Sequence, residues 1–207
     1  MTRATSRLAA LAACGAALLI LPLTQPILAA TDAGPSDTVR NALGKATGIT
    51  AAGSSHDAEL DALRGVARQL VDTRSMGRRA LGAAFATATE AQQQEFLRLF
   101  DEFIVRSYLQ KLLLFRNPKF RFGQEAKRGD VVIVSTEVVA GDDAYHVDYE
   151  MHRQGEQWLA SDIIVEGVSM SSNYSSQFAS LLRDRSFDEL LELMRRKVDT
   201  ARTKDGQ

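Results

Sequence analysis

The feature that most constrains this chain is a change of hydrophobic period at Asn117-Pro118. Upstream, Phe96, Leu99, Phe100, Phe103, Ile104, Tyr108, Leu112 and Phe115 recur at three- and four-residue steps. That spacing puts one wide apolar face on a helix of about seven turns. Thr89, with Gln92 three residues on, is a capping box that opens the helix. Pro118 ends it, because proline has no N–H to donate and pushes the preceding residue out of helical geometry. Downstream the period is 2. Residues 119–126 alternate, with Phe120 and Phe122 on one side, and Val131–Ala140 is a β-branched run. Tyr145, Val147, Tyr149 and Met151 alternate with His146, Asp148, Glu150 and His152, and Gln157–Val165 follows. Arg128-Gly129-Asp130, Gly141-Asp142-Asp143 and Gln154-Gly155-Glu156 are the turns between them. Four strands joined by tight turns predict an antiparallel meander, apolar on one face and wet on the other.

Helical spacing flanks the strands. Leu60, Leu63, Val66, Ala67, Leu70 and Val71 place a helix in 57–74, and a short one follows at Ser75–Ala84. After Gly167, Met170, Tyr174, Phe178 and Leu182 fall four apart. Ser186 with Glu189 is a second capping box, opening a last helix that carries Leu190, Leu191, Met194 and Val198. The chain is therefore α+β: a curled antiparallel sheet of about four strands, helices on one face, and a cone-shaped interior. Periodicity leaves open whether that interior is filled or hollow.

The N-terminus reads as an export signal. Arg3 and Arg7 precede an apolar run from Leu8 to Leu23, and Ala29-Ala30 offers small residues for cleavage. An uncleaved anchor and a lipidation box at Leu11-Ala12-Ala13-Cys14 are the alternatives. Against lipidation, most of the apolar run follows the cysteine. Cleavage after residues 1–30 removes Cys14, the one cysteine, leaving no disulfide, thiol nucleophile or cysteine metal site. It also leaves 23 basic residues of the original 25 against 26 acidic ones, a net charge of −3. Nucleic acid, whose phosphates need a basic field, is thereby disfavoured as a partner. Residues 31–56, rich in Ala, Gly, Ser and Thr, read as a loosely ordered segment with a weak helix at Ser36–Leu43. The domain is expected over 57–199, with a polar tail at 200–207.

No catalytic set stands out. Gly167-Val168-Ser169-Met170-Ser171 resembles a nucleophile elbow but lacks the second glycine, and no histidine follows His152. Capping of the next helix is the simpler role for Ser169. His146 and His152 lie about 20 Å apart on an extended strand and cannot share an ion, so that strand face reads as solvated. There is no Walker loop and no G-x-G-x-x-G. Arg78-Arg79, with Arg74, could meet a phosphate head group or form a solvated helix face.

Longer motifs resemble a known family. Met76-Gly77-Arg78-Arg79-Ala80-Leu81-Gly82, Gln92-Gln93-Gln94-Glu95-Phe96, Phe100 and Tyr108 are similar to the MlaC family, the periplasmic phospholipid-binding proteins of the toluene-tolerance, or Mla, pathway. So are Val147-Asp148-Tyr149, Trp158, the run Asp162-Ile163-Ile164-Val165-Glu166-Gly167-Val168-Ser169, Asn173-Tyr174, Ser176-Gln177-Phe178 and Phe187-Asp188-Glu189-Leu190. The resemblance spans about Asp57 to Val198. It implies a nuclear transport factor 2-like cone with a central apolar cavity. Acyl chains would sit inside, with the head group outside. It also implies shuttling of lipid between an outer-membrane lipoprotein complex and an inner-membrane ABC transporter with its MCE-domain subunit, which maintains lipid asymmetry. No enzyme activity, metal or cofactor is implied; the bound phospholipid is cargo. The chain departs from the family at Val71-Asp72-Thr73, where an aromatic-Asp-Phe run is usual, at Gly77, usually serine, and at Phe85, usually tryptophan. These departures leave a divergent branch carrying another lipid, such as a hopanoid, as an alternative.

On this reading the expected lipid-binding residues are Leu81, Phe100, Ile104, Tyr108, Val132, Val134, Val147, Tyr149, Ile164, Val168, Tyr174 and Phe178. An enzyme on the same cone-shaped fold would need an acid inside the cavity. Asp162, placed by simple alternation on the face of Trp158 and Ile164, is the candidate. A binding module with a filled core is the third reading.

Overall fold

The structure, a computed structural model, describes residues 33–113 and 118–205. The expected leader with Cys14, and Phe115, lie outside the described residues, as does the side chain of Leu112. Five helices come first: α1 (Pro35–Ala51), α2 (His56–Leu70), α3 (Thr73–Leu81), α4 (Ala83–Thr87) and α5 (Glu90–Leu113). Strands β1 (Lys119–Arg128), β2 (Val131–Ala140), β3 (Asp143–Gln154), β4 (Gln157–Val165) and β5 (Val168–Ser169) form one antiparallel sheet in chain order. Helices α6 (Met170–Asp184) and α7 (Phe187–Asp205) complete the chain.

Local chemistry sets several boundaries. The Thr89 backbone N–H donates to Gln92 Oε1 at 3.0 Å, and the Gln92 N–H returns to Thr89 Oγ1 at 3.3 Å. Ser186 and Glu189 make the same reciprocal pair at 2.7 and 3.3 Å before α7. Both expected capping boxes thus satisfy amides that a helix start leaves unpaired. The β4–β5 turn is two residues long, with Glu166 and Gly167 both at positive φ (50° and 77°). Glu166 ties this turn to β3: its N–H donates to the His146 carbonyl at 2.9 Å, and its carboxylate accepts from the His146 N–H. β1 is an edge strand, paired with β2 alone and irregular between Phe122 and Glu125; from Gly123 onward its residues are exposed.

Two expectations are corrected. Within the segment expected to be loosely ordered, residues 35–51 form α1, which buries Val39, Ala42, Leu43 and Ala46. These positions follow i, i+3, i+4, i+7, and two are alanines, too small to mark the stripe but small enough for close packing. The sheet has a fifth strand, β5. Separately, α7 runs on into the polar tail as far as Asp205.

The inward face of the sheet carries Val134, Thr136 and Val138 on β2, opposite Tyr149, Val147 and Tyr145 on β3. On β4 the alternation breaks. Glu150 pairs with Asp162 and Met151 with Ala160, so Ser161 is an extra, bulged residue. One extra residue moves every later side chain to the other face. Ala160 points inward before the bulge; Ile163 and Val165, opposite Tyr149 and Val147, point inward after it. Simple alternation predicts Asp162 and Ile164 inward, and the bulge puts them outside, opposite Glu150 and Asp148.

Apolar burial gathers in two larger groups. Phe96, Phe100, Tyr174 and Phe178 interlock where α3, α5, α6 and α7 meet, with ring centroids 5.4–6.2 Å apart. The second group joins α1 and Leu70 to Val134, Val147, Tyr149 and Met151 under the sheet. Each large side chain so buried contributes roughly 1.5–3 kcal/mol.

Gly77 sits where α3 crosses α5. A Cβ there would stand 3.0 Å from Phe100 Cδ1 and 3.1 Å from Leu97 Cδ2. Both side chains are fully enclosed, and the Phe100 ring is held by three other rings. Gly77→Ala gains about 1 kcal/mol of helix propensity, but overpacking costs roughly 1–3 kcal/mol. Urea unfolding is expected to show net destabilisation by about 1 kcal/mol, and a gain in stability would contradict this packing.

Candidate functional site

Between the inward sheet face and helices α1, α2, α5 and α6 lies a cavity of about 510 Å³. Its size falls within the roughly 300–1,000 Å³ of ligand pockets. The helical wall comes from Ala42 and Ala46 of α1, Leu63, Val66, Ala67 and Leu70 of α2, and Ile104, Val105, Tyr108 and Leu109 of α5. The sheet wall comes from Phe120, Val138, Tyr145, Val147, Tyr149, Ile163 and Val165. Val168, Met170 and Asn173 lie where β5 passes into α6. Val168 is 59% exposed and marks the mouth. Val134 and Met151, further along the sheet from Val168, are buried in one cluster with Val39, Ala42 and Leu43 of α1.

None of the 22 lining residues carries a carboxylate, amine, guanidinium or imidazole. The polar groups that do line the cavity are already engaged. Thr73 Oγ1 donates to Asp101 Oδ1 at 2.6 Å, and Arg68 Nη2 lies 3.2 Å from Asp101 Oδ2. Burial pushes the Tyr149 phenol up to about 12, partly offset by its hydrogen bond with Thr136. Outside the lining, in the helical core, burial and then the neighbouring Tyr108 raise the Tyr174 phenol well above its usual value. These phenols stay protonated at neutral pH and cannot serve as bases. The cavity presents hydrocarbon surface and neutral hydroxyls, suited to enclosing apolar chains.

Of the twelve expected lipid-binding residues, Ile104, Tyr108, Val147, Tyr149 and Val168 line the cavity. Leu81, Phe100, Tyr174 and Phe178 are instead spent on the helical core. Val134 is enclosed under α1, and Val132 lies two residues before it, further from the mouth. Ile164 is turned away by the bulge. Sequence reasoning missed the contributions of α1, α2, Phe120, Val138 and Tyr145. Val138 and Tyr145 share the phase of Val134 and Val147, a signal that was present.

Charged groups flagged in the sequence serve other ends. Arg79 pairs with Glu150 at 2.7 Å, and Arg78 lies 5.8 Å over the Phe85 ring. His146 Nε2 lies 3.0 Å from Asp148, and His152 Nε2 lies 3.1 Å from Asp72. Among the described residues no three acidic, histidine or cysteine side chains are grouped to hold a metal. Ser169 caps α6, accepting from the Ser172 N–H at 3.1 Å, as expected. Asp162, which the enzyme reading requires inside the cavity, is absent from its lining.

A family profile described as "MlaC protein" matches residues 42–196. The intermembrane phospholipid transport system binding protein MlaC of Haemophilus influenzae is 26% identical over 129 residues, which is 59% of this chain and 60% of that protein. Toluene tolerance protein ttg2D of Pseudomonas putida is 25% identical over 179 residues, 83% of each chain. A phospholipid-binding protein from Ralstonia solanacearum, solved in complex with a phospholipid, superposes with a TM-score of 0.73 at 21% identity. That likeness covers 82% of this chain and 99% of the other, and establishes the fold.

The cavity wall at Val71–Thr73 is anchored to the sheet. Val71 bridges Ala160, and the Asp72 N–H donates to the Ala160 carbonyl at 2.9 Å. Asp72 caps α3, accepting from the Ser75 N–H at 2.9 Å and the Ser75 hydroxyl at 2.6 Å. Burial alone would raise its carboxyl, but the Ser75 hydrogen bonds and His152 outweigh it and hold the group below its usual value. A lowered carboxyl stabilises the fold above its unfolded value of about 4, and the contribution fades as pH falls through the folded value. Asp72→Ala is expected to cost about 1 kcal/mol at pH 7, with the gap to wild type closing below pH of about 4. Urea titrations across pH check this; a gap that does not change with pH would refute it.

Proposed function

The chain belongs to the MlaC family, and from that premise we propose that it is a periplasmic lipid carrier. It holds phospholipid by the acyl chains in the cavity and shuttles it between the outer and inner membranes. The observation that carries the reading is a cavity of about 510 Å³ with no charged group among its described lining residues. A charged head group has no partner within and stays at the mouth, near Val168 and Asn173. Acyl chains lose nothing by entering. Two chains of about 30 methylenes cost about 24 kcal/mol to expose to water at ~0.8 each. Free passage across an aqueous gap is therefore negligibly slow, and an enclosing wall removes most of the barrier.

The same reasoning supports a carrier that is not an enzyme, since no carboxylate, amine, guanidinium or imidazole stands among the described lining residues. The H. influenzae relative is named for an intermembrane phospholipid transport system. By kinship the partners are an inner-membrane ABC transporter with its MCE-domain subunit and an outer-membrane lipoprotein complex. The leader expected at residues 1–30 would bring the chain to the periplasm.

Native mass spectrometry of protein purified from its own periplasm tests the carrier. A mass shift equal to one or more phospholipids is expected. Val147→Trp, which fills the cavity from the sheet wall, is expected to abolish that shift while leaving the far-ultraviolet circular dichroism unchanged. A bare polypeptide mass for the gently handled wild type would overturn the reading.

A further inference from the structure

The geometry points to Asp162 as a positioning residue that pins the cavity mouth, setting how long the cargo is retained. The inference rests on the carrier reading above. Asp162 is 2% exposed yet is not among the residues that line the cavity. The bulge at Ser161 turns it outward, beneath the start of α6. Every acceptor position of its carboxylate is filled. Oδ1 accepts the N–H of Ile163 at 2.9 Å and of Ser171 at 3.1 Å. Oδ2 accepts the hydroxyls of Ser169 at 2.5 Å and Ser171 at 2.6 Å, and Arg79 Nη1 lies 3.6 Å away.

Ser169 and Ser171 flank Met170, and Val168 precedes them; Val168, Met170 and Asn173 all line the cavity. One carboxylate on β4 thus fixes the segment through which the mouth is built. Arg79 extends the tie to α3, since its other nitrogen meets Glu150 at 2.7 Å. Hydrogen bonds to a buried charge are among the stronger ones in a protein, and removing one partner leaves the others unsatisfied. Were Asp162 serving only to satisfy the start of α6, the Ser169 cap would already meet part of that need. The carboxylate adds attachment of the mouth to the sheet.

The test compares lipid release with global stability. The full protein is stripped, loaded with a fluorescent-tailed phosphatidylethanolamine, and mixed with phosphatidylcholine acceptor vesicles. Asp162→Asn and Ser171→Ala are expected to release the label roughly ten-fold faster than wild type, the loss of about one charged hydrogen bond. Met194→Ala, which opens the α7 core away from the cavity, is the control for general destabilisation and is expected to release at the wild-type rate. Ser171→Ala suffices if Asp162→Asn does not fold. Wild-type release from both mouth variants, or equal acceleration in Met194→Ala, would overturn the pin. A wild type that takes up no label would overturn the carrier reading itself.

Discussion

One inserted residue decides which side chains face the interior. The bulge at Ser161 breaks the two-residue period of β4 and sets Ile163 and Val165 against the cavity. The same shift sends a carboxylate out of the apolar space to a place where four donors can meet it. Without the bulge, Asp162 would stand among hydrocarbon, at the cost of desolvating a charge with nothing to pair it. The purity of the cavity and the anchoring of α6 are therefore two results of one irregularity.

The molecule divides its bulky and small side chains unequally. Rings from α5 and α6 pack against one another on the helical side, where they leave no room. The walls of α1 and α2 that face the sheet are lined instead by Ala42, Ala46 and Ala67 together with Val and Leu. A sheet wall of valines and tyrosines opposite alanines cannot close the gap. The hollow follows from side-chain volume, because the backbone arrangement alone would accept a filled core.

This division explains what the sequence made legible. The caps of α5 and α7, and the ends of β2 and β4, depend on neighbours within a few residues and were read directly. The α+β class followed from the change of period at Pro118. Helix α1 reads only as a weak helix at Ser36–Leu43, short of its full Pro35–Ala51, because its buried face is written partly in alanine, which carries little hydropathy. Ser161 bears no mark of a bulge, since neither glycine nor proline is needed there, so simple alternation places Ile164 on the opposite face from the one it occupies. Which apolar stripe meets which is a long-range matter. Phe100, Tyr174 and Phe178 have the spacing of lining residues, but they pack against each other.

The open edge of β1 bears on how the protein tolerates its own company. An unpaired strand edge offers amides and carbonyls to any other extended chain. Here the exposed stretch carries Lys119, Arg121, Lys127 and Arg128 against one acid, Glu125, and its irregularity after Phe122 interrupts the straight run that a second strand would follow. Two copies meeting edge to edge would bring like charges together and find no continuous register. A protein built around hydrocarbon surface thereby keeps its most adhesive backbone guarded against self-association and fibril-like growth.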